Sequence, residues 1–198
     1  ALWTTLGEAG RPLGMVAAGY RAIDALRLEK GYRVWSSDIT PDETPYDAGL
    51  GFAVALGKDA AFIGREALVG AKAVGPRKRL RCLVLDDARS VCLGNEPVRV
   101  EGAVVGRVTS GGYGFAVERS IAYAYLPPER AAIGTRGEVE VFGDWIPFEV
   151  AREPLYDPTG IGSAILSTPG VGGFGVSPTS TVDDGQLVVD LAREVTRD

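Results

Sequence analysis

The chain has 198 residues, 45% hydrophobic and 24% charged, the make-up of an ordinary globular protein with room for one large domain or two small ones. That composition excludes a membrane-spanning or wholly disordered chain, and 26 acidic against 21 basic side chains, a net charge of −5, provide no electrostatic footprint for nucleic acid. Histidine is absent, which excludes Ser-His-Asp and Cys-His nucleophiles, His-ligated metals and imidazole acid–base chemistry within the chain. Carboxylates, Tyr, Lys, Arg or a bound cofactor must carry any chemistry.

In chain order, residues 1–77 read as mainly helical, with one helix predicted over Ala17 to Lys30 and another over Gly64 to Ala73. The second is closed by the breaker pair Gly75-Pro76. Residues 78–158 change to short apolar runs separated by turn residues: Arg79 to Leu85, Pro97 to Val100, Val104 to Val108, Ile121 to Tyr125 and Gly137 to Gly143. Within them Val98, Val100, Val139 and Val141 alternate with Arg99, Glu101, Glu138 and Glu140, so one face is buried and the other wet. A small antiparallel sheet or barrel follows. Residues 159–198 read as a linker with six glycines between Gly160 and Gly175, ending in an amphipathic piece, Gln186 to Val195. The fold class is α+β, a helix-bearing region followed by a small antiparallel β-barrel.

Cys82 and Cys92 lack the spacing of a metal site and are expected to be reduced core residues. With no charged-then-apolar leader at Ala1 and no long apolar run, a cytoplasmic location is expected. The lone methionine, Met15, fits a fragment or processed product.

Wound as a helix, Ala17 to Lys30 places Ala18, Ala22, Ala25 and Leu26 on one stripe with Glu29 in its midst. Burying a carboxylate there costs several kcal/mol, on the order of the penalty for a charge without donors, unless donors meet it. Two readings stand open on spacing alone. Glu29 pairs with Arg33 or Lys30 near the helix end, or it receives two parallel N–H donors from a flat amino-pyrimidinone edge, which a two-pronged carboxylate matches.

Three motifs in order carry a resemblance: Tyr20-Arg-Ala-Ile-Asp-Ala-Leu-Arg-Leu-Glu-Lys-Gly-Tyr-Arg-Val-Trp35, then Thr44-Pro-Tyr-Asp-Ala-Gly-Leu-Gly-Phe-Ala-Val54, then Phe62-Ile-Gly-Arg-Glu-Ala-Leu68. The chain resembles the folate-binding domain of the aminomethyltransferase family, the glycine-cleavage T-protein and its relatives. Thr109 to Gly114, Ser120 to Pro127 and Glu153 to Pro158 most resemble the branch fused to flavin domains: dimethylglycine oxidase, dimethylglycine dehydrogenase and sarcosine dehydrogenase. The resemblance covers about Leu2 to Pro158. It implies that residues 1–77 are the second half of a folate-binding domain and 78–158 its C-terminal barrel.

The resemblance further implies a tetrahydrofolate site in which Glu29 holds the pterin edge. Lys58 is the nearest match to a basic folate contact, against a solvated surface charge. Tyr156 is the nearest match to a site-lining Tyr, against aromatic packing at the barrel edge. Trp35 sits where relatives carry Tyr and is expected to pack in the core, with a pocket wall as the alternative. Thr109 to Gly114 reads first as a plain turn; its functional version closes over the folate tail with Tyr113 stacked on an aromatic ring. No catalytic residue is assigned: the family's Asp that acts on the folate nitrogen and the bound carbon belongs to an N-terminal region with no counterpart here.

Other motifs fail on context. Gly170-Val-Gly-Gly-Phe-Gly175 matches a dinucleotide pattern but precedes Val-Ser-Pro, which cannot open the required helix. Gly51 to Asp59 has the wrong glycine spacing for a phosphate loop. Asp86-Asp87 and Thr40 to Thr44 read as solvated turns and helix starts, and no metal is attached to them.

The resulting expectation is the tetrahydrofolate-binding part of an enzyme that oxidises an N-methyl amine such as dimethylglycine or sarcosine and forms methylenetetrahydrofolate. Its partners are folate and a small methylamine-type substrate, and FAD falls to a missing or partner domain. A stand-alone aminomethyltransferase and a non-catalytic folate-binding or assembly module are the alternatives.

Overall fold

Two glycines bracket the helix that matters most. Gly19 is extended and Gly31 left-handed, so helix α2 runs Tyr20–Lys30 and ends in a Schellman-type cap, Tyr32 N–H donating to Arg27 O at 2.8 Å and Gly31 N–H to Leu28 O at 3.3 Å. A side chain at Gly31 would be strained at φ 73° and would also lie 3.0 Å from Glu153 Oε2. The computed structural model describes residues 1–159. The predicted glycine-rich linker and amphipathic tail lie outside the described residues.

Helix α1 (Leu2–Gly10) precedes α2, and α3 (Arg65–Val74) follows it. Both ends of α3 fall within a residue of the expected Gly64 and Ala73, because glycines with positive φ, Gly64 and Gly75, stand on either side of it. For α2 the expected start was three residues early. Ala18 is exposed and ahead of the helix, Leu26 remains 59% exposed, and burial concentrates on Leu28 and Glu29. The reason is packing: α2 meets the strands Ala103–Gly114 and Arg119–Leu126, and its last turn makes the buried contact.

Among the described residues six strands follow: β1 (Arg79–Leu85), β2 (Pro97–Val100), β3 (Ala103–Gly114), β4 (Arg119–Leu126), β5 (Arg136–Val141) and β6 (Asp144–Ala151). They close into an antiparallel barrel in the order β1-β4-β3-β2-β5-β6. The chain is therefore α+β with a small antiparallel barrel, as the texture and the resemblance imply. Val98, Val100, Val139 and Val141 point into the barrel core with Leu83, Val108, Phe148 and Val150. Outside, Arg99 faces Glu138 at 2.6 Å, the wet half of the alternation. A second cluster, Leu28, Leu80, Cys82, Ile121 and Tyr123, joins α2 to the barrel wall. Both cysteines are free and buried, as expected of core residues.

Two further features differ from the sequence expectation. Thr109 to Gly114 is not a turn but the end of strand β3. Its glycines answer a need for space rather than curvature: a Cβ at Gly111 would lie 2.6 Å from Cys92 O, and one at Gly112 2.8 Å from Leu28 Cδ1. Strand β6 was not anticipated, since Pro147 interrupts its pattern; the proline sits at an exposed position and its carbonyl still accepts from Asp86 N–H at 2.9 Å. Among the described residues no helix is long and apolar enough to cross a membrane.

Candidate functional site

The last turn of α2 carries Glu29 beneath the turn joining β3 to β4, where it is 2% exposed. Its Oε1 accepts the backbone N–H groups of Ala116 at 2.6 Å and Val117 at 3.2 Å. Gly114 leaves room for the approach, since a Cβ there would stand 3.0 Å from Glu29 Cγ. The main-chain carbonyl of Glu29 accepts from Leu155 and Tyr156 N–H, both at 3.0 Å. Among the described residues Oε2 accepts no hydrogen bond. A carboxylate has lone pairs for about four donors, so acceptor capacity remains on that oxygen.

The helix-end ion pair expected as one alternative is not formed. Arg33 pairs with Glu153 and Lys30 with Asp157, the latter at 2.8 Å, because the chain leaving the barrel passes over the end of α2 and brings those two carboxylates closer. Oε1 of Glu29 is met by backbone amides instead.

The structure brings two of the five expected residues, Glu29 and Tyr156, into contact and places Tyr113 next to Gly114 on the strand face turned away from α2. Tyr156 is linked to Glu29 through its N–H, and its half-exposed ring lies 5.6 Å from Lys30 Nζ. Tyr113 precedes Gly114 on β3 and packs edge-to-face on Phe115, ring centroids 5.1 Å apart. Phe115 is exposed and sits in the same turn as the amides that hold Glu29.

Trp35 and Lys58 share no hydrogen bond, ion pair or ring contact with Glu29 among the described residues. Core packing of Trp35 is corrected by its 65% exposure. The neighbouring loop is tied down by Asp38, whose carboxylate takes Val34 N–H at 3.0 Å, Arg27 at 2.8 Å and the Thr109 and Ser110 hydroxyls at 2.6 Å each. The indole is left outside. Lys58 is exposed with its ammonium 4.6 Å from the Phe62 ring centroid.

Sequence reasoning missed the buried set around Arg33. Its guanidinium grips Glu153 with two nitrogens, at 2.6 and 3.1 Å, and lies over the Tyr123 ring. Tyr123 Oη reaches Leu28 O at 3.2 Å and Glu153 Oε2 at 3.1 Å. Burial works against the Arg33 charge, yet the attraction and hydrogen bonds of Glu153 outweigh it and hold Arg33 above its ordinary value. Burial, then the charge interactions with Cys82 and Glu153, raises the Tyr123 phenol well beyond its ordinary range. The only available signal was the Glu immediately before Pro154-Leu-Tyr-Asp-Pro, 120 residues from Arg33.

An open cleft of about 400 Å³ borders this region, lined by Val84, Leu85, Val117, Arg119, Ala151 and Leu155 among others. It shares Val117 and Leu155 with the hydrogen-bond partners of Glu29. None of the five expected residues lines it.

Comparison with known proteins agrees with this architecture. The glycine cleavage T-protein C-terminal barrel domain matches residues 78–157, and the GCVT N-terminal domain matches residues 1–58. Rat mitochondrial dimethylglycine dehydrogenase is 40% identical, over 78% of this chain and 18% of its own length. The 4-methylaminobutanoate oxidase (formaldehyde-forming) of Paenarthrobacter nicotinovorans is 41% identical, over 81% of this chain and 19% of its own. An aminomethyltransferase of Streptomyces avermitilis is 41% identical, over 78% of this chain and 42% of its own. The crystal structure of glycine cleavage system aminomethyltransferase T from Bartonella henselae superposes with a TM-score of 0.66 at 33% identity, covering 71% of this chain and 40% of that one. The chain thus spans less than half the length of these relatives. With both domain types matched in order on a closed barrel of the same kind, the chain belongs to the aminomethyltransferase family of the glycine-cleavage T-protein.

Proposed function

We propose that the chain is the tetrahydrofolate-binding part of a folate-dependent one-carbon enzyme acting on an N-methyl amine such as dimethylglycine or sarcosine. The observation that carries this is Glu29: a buried carboxylate with one oxygen pinned by two amides and the other without a partner among the described residues. That oxygen can accept one donor of a pterin edge, the ring N–H or the exocyclic amine, while Oε1 keeps its two amides. Tyr156 adjoins Glu29 through its main-chain N–H, which supports its place beside the ligand, whereas Tyr113 is assigned to folate on the resemblance alone. Trp35 and Lys58 remain assigned to folate on the resemblance alone.

Bound tetrahydrofolate supplies the nitrogen that takes up the one-carbon unit. The chain's own residues bind and orient it, and orientation of this kind lowers a barrier by several kcal/mol, on the order of 7 or more in the best cases. A flavin belongs to a separate domain or partner in this scheme, and two of the similar relatives, by name a dehydrogenase and an oxidase, favour that branch. The aminomethyltransferase relatives support the second reading, a stand-alone enzyme of the glycine-cleavage type. The mass of the parent protein separates the two, because the chain spans 18% of the dehydrogenase and 42% of the aminomethyltransferase.

Calorimetry with tetrahydrofolate tests the proposal. The chain is expected to bind, and Glu29→Gln to weaken binding by about tenfold or more, the worth of one charge-assisted hydrogen bond. Equal affinity in the variant, or no binding by the wild type, overturns the assignment.

A further inference from the structure

A helix ends with about four carbonyls that lack partners inside it. In α2 the cap meets the carbonyls of Arg27 and Leu28, and the chain that leaves the barrel meets that of Glu29. Leu155 and Tyr156 N–H both donate to Glu29 O at 3.0 Å, Lys30 Nζ reaches Asp157 Oδ2 at 2.8 Å, and Glu153 grips Arg33 two residues beyond the Gly31 cap. Arg33 also donates to the Gly31 carbonyl and to Ala48 O. Tyr123 on β4 joins Leu28 O to Glu153 from beneath.

We propose that Glu153–Asp157 is a strap that positions Glu29, with the Arg33–Glu153 pair as its buckle. Both side chains of the pair are largely buried, at 12% and 17% exposure, so the strap cannot be exchanged for water without leaving an uncompensated charge. The strap fixes the main chain of Glu29 and the β3–β4 turn fixes its side chain through Ala116 and Val117. The two sets of bonds meet at one residue. Releasing the strap lets the end of α2 shift, and Oε1 then leaves the amides of the turn. Arg33 and Glu153 are positioning residues in this account. Its consequence for ligand binding rests on the folate proposal above; the positioning itself does not.

Amide hydrogen exchange by NMR on the full chain tests it. In Glu153→Ala, the amides of Leu155 and Tyr156 are expected to exchange faster, and so are those of Ala116 and Val117, by about tenfold or more, while the β1–β4 ladder keeps its protection. A contact with a merely local role would free Leu155 and Tyr156 and leave Ala116 and Val117 as they are; that result overturns the proposal. If Glu153→Ala does not fold, Glu153→Gln keeps the shape and removes the charge. It is expected to show the same four amides loosened to a smaller degree, and a wild-type pattern overturns the proposal. Calorimetry with tetrahydrofolate on the same variants is expected to show about tenfold weaker binding in Glu153→Ala. If the wild type does not bind, the folate proposal falls while the exchange data still decide the strap. If it binds and the four amides are not coupled, the strap falls alone.

Discussion

The amide of Ala116 donates to Glu29 Oε1 at 2.6 Å across 87 residues of sequence. Through this bond a turn of the barrel completes the environment of a carboxylate carried by a helix. Burial of the charge is tolerated because the donors are main-chain groups held in place by a closed sheet.

Removing the acceptor should expose that dependence. Glu29→Ala leaves the N–H groups of exposed Ala116 and half-buried Val117 without their acceptor, and the loss of hydrogen bonds to a charged group costs about 1.5–3 kcal/mol. Glu29→Gln retains an oxygen in the same place and should cost less. Urea denaturation of the two variants checks the order; Ala at wild-type stability would show that the bonds contribute nothing.

Space, not curvature, explains the glycines of β3. Gly111→Ala forces a Cβ to within 2.6 Å of Cys92 O, a backbone atom that cannot rotate away. Overpacking of this kind costs about 1–3 kcal/mol. A lowered unfolding temperature is expected, and an unchanged one would mean that the strand and the Cys92 loop separate easily.

Acid should weaken the link between the 40–47 loop and the barrel. Burial tends to raise Asp47, but Thr44 and the amides of Arg77 and Lys78 outweigh it and hold the carboxyl below its ordinary value. Glu43 is likewise lowered, its burial outweighed by Lys78 and Thr40. Groups with depressed folded values stabilise fully above the unfolded value, about 4 for carboxylates, and that contribution is lost as pH falls through the folded value. Thermal unfolding followed from neutral to acid pH should show the loss, and Asp47→Asn should flatten it. An identical pH profile in the variant would remove Asp47 from the account.

The cysteines should be chemically silent in the folded state. Burial pushes both Cys82 and Cys92 up to about 12, with Glu153 adding to the first and Glu96 to the second. A thiol reagent at neutral pH is expected to label neither before denaturation and both after it. Rapid labelling of the native chain would contradict their burial.

Much of the fold could be read from local pattern. The strands Arg79–Leu85 and Pro97–Val100 fall where the apolar runs place them, and α3 ends at the Gly75-Pro76 breaker. These features depend on neighbours within a few residues, where side-chain period and backbone propensity act. Strand β6 escaped because Pro147 breaks the pattern, and Thr109 to Gly114 misled because glycine marks both turns and close packing. At the site, Glu29 was legible as a carboxylate on a helix face that otherwise carries small residues. Trp35 was misjudged, since its exposure follows from Asp38 bonding to Val34, Arg27, Thr109 and Ser110.

Sequence alone determined the α+β class, the sheet's wet and dry faces, the reduced cysteines and the family, because each is written in residue types at short spacing. Tertiary structure decided what Glu29 and Arg33 touch. The donors to Glu29 are backbone amides, which every residue but proline possesses and which leave no mark on the sequence. Only closure of the barrel brings those amides, and the carboxylate of Glu153, to the end of the helix.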